Sequence, residues 1–142
     1  MKKKGKAILL ITVLLVGLTI GTGIAMDLPN KVTKEVVIES EDGQTRIIMH
    51  WVAMTTLYSG IESSHVSTSI DCPIDNIGVN AYLYEGGPDG TLIDYGEVMN
   101  HNSTTAWKRL YGNGDYAKTY HTFEYWDGSE WHKWNEWTAD SG

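Results

Sequence analysis

The chain has 142 residues, with 11 Lys and Arg against 18 Asp and Glu, and a net charge of −7. That length holds one domain with a real core and excludes two ordinary ones. The acidic balance excludes the basic footprint that nucleic-acid binding needs, and the single cysteine, Cys72, excludes an internal disulfide.

The chain opens MKKKGKAILLITVLLVGLTIGTGIA. Lysines 2, 3, 4 and 6 precede the apolar run Ala7–Ile20, and the small residues Gly23 and Ala25 follow. This is the layout of a secretory signal peptide. Residues 1–25 are expected to be removed by cleavage after Ala25. Residues 26–142 then form a single β-rich domain, secreted and without stable membrane association. The alternative is an uncleaved anchor through residues 7–26, because about 20 mostly apolar residues just span a bilayer. Four of the eleven bases and none of the acids lie in the leader, so residues 26–142 hold seven bases and eighteen acids, a net of −11. Such a surface repels nucleic acid and anionic membranes and suits a soluble exported protein.

Strand patterns fill the rest. Lys34–Ser40 has a β-branched centre, and Asp42-Gly43 supplies a hairpin turn before Arg46–Thr56. Leu57–Ser64 is expected to loop. His65–Ile70 alternates, and Pro73 is expected to end that strand. Ile77–Glu85 alternates most cleanly: Val79, Ala81 and Leu83 face one way and Asn80, Tyr82 and Tyr84 the other. The turn Gly86–Gly90 leads to Thr91–Met99, and His101–Lys108 is expected to loop or make a short helical turn. Tyr116–Trp126 alternates again, with Ala117, Thr119, His121, Phe123 and Tyr125 on one face. Asp127-Gly128 turns the chain into EWHKWNEW. There Trp131 and Trp137 share a strand face and Trp134 lies opposite. These elements predict an all-β fold, a small antiparallel β-sandwich of about seven or eight strands, with a partly open β-barrel as the alternative.

The chemistry-bearing residues point to binding rather than catalysis. From Trp107 onward the chain carries five Trp, four Tyr and one Phe. Trp126, Trp131 and Trp134, supported by Tyr125, flank a hairpin turn and are the candidate ligand-binding residues. Rings of this kind stack on sugars, and their competing use is to fill the core. His50, His65, His101, His121 and His132 form no HExxH, and there is no CxxC, so neither a metal site nor a cofactor is expected. His50, in an apolar strand beside Trp51, reads as a hydrogen-bonded structural histidine. Asp71, Asp75, Asp94 and Glu97 match no calcium loop. Cys72 with His65 or His121, or Glu97 with Glu124, would be needed for hydrolysis. Nothing in their spacing joins them, so no catalytic residue is expected.

VNAYLYEGGPDGTLIDYG, NGDYAKTYHTFEYWDG and the terminal TADSG resemble small secreted β-rich proteins of Gram-positive bacteria. The resemblance covers roughly Ile77–Gly142. It implies an exported β-rich domain and no catalytic residue. The expected function is therefore non-enzymatic binding of a glycan, a polysaccharide or another cell-envelope component. A secreted antagonistic or membrane-active protein and a small extracellular hydrolase are the alternatives.

Overall fold

The computed structural model describes residues 8–12, 27–40, 42–58 and 63–142. Every regular element among them is a β-strand: β1 (Ile8–Thr12), β2 (Lys31–Glu39), β3 (Arg46–Leu57), β4 (Ser63–Glu85), β5 (Thr91–Tyr111), β6 (Tyr116–Trp126) and β7 (Trp131–Asp140). All pairings are antiparallel. No helix among the described residues is long and apolar enough to cross a membrane.

The architecture follows from the two longest strands. β5 pairs along one edge of β4, from Glu85↔Thr91 to Ser63↔Tyr111. The other edge of β4 is shared. β3 pairs with its first part, Ser64–Ile70, and β6 with its second part, Asn76–Tyr84. β2 continues from β3 and β7 from β6, so one continuous sheet folds back on itself. Strands β2–β7 thus make a nearly closed barrel with one unsealed seam, in place of two separate sandwich layers. At the seam β2 and β7 approach without a ladder. It is crossed by the Ala139 amide donating to the Pro29 carbonyl at 3.0 Å and by the Lys34–Glu136 ion pair. β1, which falls in the expected leader, pairs with the outer edge of β2.

The bend in β4 corrects two expectations. The β4–β5 ladder slips between Ser69 and Ile74, and Pro73 sits in that irregular stretch. Proline has no amide to donate, and a bulge leaves a place where none is needed, so the strand continues past it. Facing it, β5 runs straight through the expected loop His101–Lys108. Its Asn102 adopts φ 48°, a left-handed conformation that asparagine tolerates better than most residues. The two long strands therefore bend together, and the bend carries the sheet over the core. Half of the expected Leu57–Ser64 loop, residues 59–62, lies outside the described residues, while Leu57 ends β3 and Ser63 and Ser64 open β4.

Inside, alternation sets the buried faces of β3 and β6, while β2 buries Val36, Val37 and Ile38 in a row. Val36, Met49, Trp51 and Ala53 from one part of the sheet meet Ile77, Val79, Ala81, Leu83, Ala117 and Phe123 from the other. Trp51 stacks on Phe123 at 4.8 Å and meets Trp134 at 4.7 Å. Since Trp51 takes the inward position, its neighbour His50 faces out and pairs with Glu35, contrary to the structural role expected for it. Beside the aromatic stack lies a buried polar cluster. Thr55 Oγ1 donates to Thr119 Oγ1 at 2.8 Å and lies 2.6 Å from Thr138 Oγ1, which is 2.8 Å from His121 Nε2. His121 is fully buried with no acid against it, and burial lowers its pKa from 6.5 to about 3, so it stays neutral.

Candidate binding site

The β6–β7 hairpin separates its aromatic residues cleanly between two faces. Cross-strand register pairs Trp126 with Trp131, Tyr125 with His132, Phe123 with Trp134 and Tyr120 with Trp137. Of the four residues expected to bind ligand, Trp126 and Trp131 point outward, 41% and 48% exposed, with ring centroids 5.5 Å apart. Tyr125 and Trp134 point the other way and pack against the core. The structure thus keeps two members of the expected set together on one surface and withdraws the other two as inner packing.

The outward surface extends further than the sequence revealed. Alternation along β7 places Trp131, Lys133, Asn135 and Trp137 on the exposed side. Along β6 the same side carries Tyr116, Lys118, Tyr120, Thr122, Glu124 and Trp126. At the end remote from the turn, Tyr120 meets Trp137 at 4.9 Å, Trp137 meets Tyr82 of β4 at 6.2 Å, and Tyr82 meets Tyr95 of β5 at 5.1 Å. Lys118 Nζ lies over the rings of Tyr84, Trp137 and Tyr82 at 5.3–5.8 Å. A cation over aromatic faces is held by their quadrupoles, which fixes both ring and ammonium. The Tyr95 hydroxyl donates to Glu97 at 2.8 Å, and that bond pushes the phenol pKa up. Tyr82 and Tyr84 were legible as an outward pair, but their meeting with Tyr95, Lys118 and Trp137 depends on strand register, which no local pattern carries.

This face is therefore aromatic at both ends and polar between them. Trp137 lies six positions beyond Trp131, about 20 Å along an extended strand. The interval holds Lys133, Asn135, Thr122 and Glu124. Asn76 Nδ2 donates to Glu124 at 2.9 Å, and Lys133 Nζ is 4.0 Å from the same carboxylate. The result is a hydrogen-bonding strip between two aromatic stations.

At the turn, the Asp127 Oδ1 oxygen accepts bonds from the Ser129 and Glu130 amides at 2.7 and 2.8 Å and from the Ser129 hydroxyl at 2.9 Å. The His132 Nε2–H donates to Asp127 Oδ2 at 2.8 Å. Burial works against the carboxylate charge, but the bonds from His132, Glu130 and Ser129 outweigh it and hold the Asp127 pKa well below the usual range. Asp127, Glu130 and His132 place one ligand atom each within 4.8 Å of one another. A search for HExxH and CxxC passes over this set. Asp127 and His132 nevertheless bracket the turn, a signal visible in the sequence.

The remaining candidates do not assemble. Of the four acids that match no calcium loop, Asp75, Asp94 and Glu97 are engaged in separate hydrogen bonds. Asp94 accepts from the Tyr95 and Tyr111 amides, Asp75 from the Trp126 amide, and Glu97 from Tyr95. Burial, then the Asp71 charge, raises the Cys72 thiol pKa, the opposite of nucleophile activation. His121 is locked in the core, and the side chain of His65 lies outside the described residues. No protein-family model, curated protein or solved structure matches the chain.

Proposed function

We propose that this protein is an exported, non-enzymatic binding module that takes an extended, hydroxyl-rich ligand on the outer face of β6 and β7, with a cell-surface polysaccharide as the fitting class. The observation that carries this reading is a pair of aromatic stations on one sheet face joined by a polar strip: exposed Trp126–Trp131, and exposed Trp137 and Tyr95 with the half-buried Tyr120 and Tyr82. Large rings left in water on one face are unusual for a monomer and mark interaction surfaces. Rings stack on the apolar faces of sugars, and the amide and carboxylate groups between them satisfy hydroxyls. The leader supports export, and the resemblance to small secreted proteins of Gram-positive bacteria agrees with it.

Retention of the purified protein on a panel of polysaccharides and cell-wall preparations tests the reading. Wild type is expected to be retained on at least one member, and Trp131→Ala and Trp137→Ala are each expected to weaken retention while staying folded by circular dichroism. Equal retention of both variants, or no retention of the wild type, rejects it. A second reading, a secreted antagonistic or membrane-active protein, draws on the exposed Leu92, Ile93 and Met99 of β5, whose outer edge has no ladder partner among the described residues. Release of dye from lipid vesicles by the wild type would favour it.

A further inference from the structure

We propose that Asp127, Glu130 and His132 form a binding site for a zinc-class divalent cation at the β6–β7 turn, independent of the polysaccharide reading. Zinc bonds to histidine nitrogen and carboxylate oxygen are about 2.1 Å, so neighbouring ligand atoms around a tetrahedral ion stand about 3.4 Å apart. His132 Nε2 is 2.8 Å from Asp127 Oδ2 and 3.9 Å from Glu130 Oε1, distances on either side of that value. All three ligand atoms lie within 4.8 Å of one another, and the exposed Glu130 side chain is the one free to swing toward the other two.

The surroundings are those of a supported site. Asp127 Oδ1 is occupied by three donors from the turn, which fixes the carboxylate and leaves Oδ2 for the ion. The His132 side chain is 5% exposed, and its ring lies between Trp134 at 6.0 Å and Tyr125 at 6.4 Å, so its orientation is set by packing. Glu130 is 59% exposed and supplies the movable arm. For the ion to bond Nε2, His132 takes its other neutral tautomer: the Nε2 proton is given up to solvent as Nδ1 takes one on, so the ring stays neutral and its Nε2 lone pair faces the ion. One nitrogen and two carboxylates suit zinc better than calcium, which needs six to eight oxygens. Three protein ligands leave a fourth position for water or for a group of a bound molecule.

Isothermal titration of the chelator-stripped, purified protein with zinc chloride tests the site. The expected result is one saturable site, and cobalt in its place is expected to give the visible absorption of a tetrahedral ion. Asp127→Asn and His132→Gln should each weaken zinc binding about 10-fold or more, since even outer-shell changes have effects of that size. Glu130→Gln, at an exposed side chain, should leave the circular dichroism spectrum unchanged and still weaken binding measurably. Absence of saturable zinc binding in the wild type overturns the proposal. So does unchanged affinity in Glu130→Gln, which also decides the matter if the other two variants fail to fold.

Discussion

On the inner face of β6, Ala117, Thr119, His121 and Phe123 have almost no surface in water; on the outer face of the same hairpin, Trp126, Trp131 and Trp137 keep more than a third of theirs. Both faces are rich in rings and hydrogen-bonding groups. They differ in whether those groups have partners within the fold. Phe123 is stacked on Trp51, and His121 is bonded to Thr138. The Trp126 and Trp131 rings meet each other and, over Trp131, the Lys133 ammonium, and otherwise face solvent. Packing accounts for the inner set, apart from the buried His121 Nδ1, which has no hydrogen-bond partner. It does not account for the outer set, which is why recognition is assigned there.

The largest expected effect lies on the inner face. Phe123→Ala should cost about 3–5 kcal/mol in denaturant unfolding, because it removes a ring from a packed stack. Leu83→Ala should cost about 2–5 kcal/mol by the same reasoning. A loss no larger than that of an exposed residue would erase the distinction between the faces.

Acid titration gives the next effect. His121 has a folded pKa of about 3 against an ordinary 6.5. Between those values the unfolded chain takes up a proton that the folded chain refuses. The His121 contribution is therefore complete above pH 6.5 and declines as the pH falls toward 3, by at most about 1.4 kcal/mol per pH unit. His121→Gln should flatten that part of the stability profile. Equal acid sensitivity in the variant would place the titrating group elsewhere. Thr138→Val should cost about 1–3 kcal/mol by leaving the Thr55 hydroxyl and the His121 ring without their shared partner. The smallest effect belongs to the outer face: Trp131→Ala should change stability by only about 0.5 kcal/mol.

Where a strand alternates and ends in a strong turn, the sequence was sufficient. Val79, Ala81 and Leu83 are buried as their spacing requires. Gly43, Gly86 and Gly128 take the positive φ that their turns demand. The inward and outward faces of Tyr116–Trp126 were likewise readable. The continuation of β4 through Pro73 was not, because a bulge supplies what proline removes, and the bulge exists only once β5 lies beside it. The choice between sandwich and barrel was hidden for the same reason: it depends on two strands sharing one edge of β4. The outer aromatic face was half visible. Tyr82 and Trp137 are far apart in the chain and meet only through the successive registers of β4 with β6 and of β6 with β7.

The central claim is that the outer face of β6 and β7 is the binding surface, and oxidative footprinting of tryptophan tests it most directly. The protein is oxidised with and without a polysaccharide that retains it, and each tryptophan is followed by mass spectrometry. Protection of Trp126, Trp131 and Trp137, with Trp107 on the far part of β5 unchanged, is the predicted result. Protection of Trp107 alone, or of no tryptophan while the ligand is bound, would contradict it.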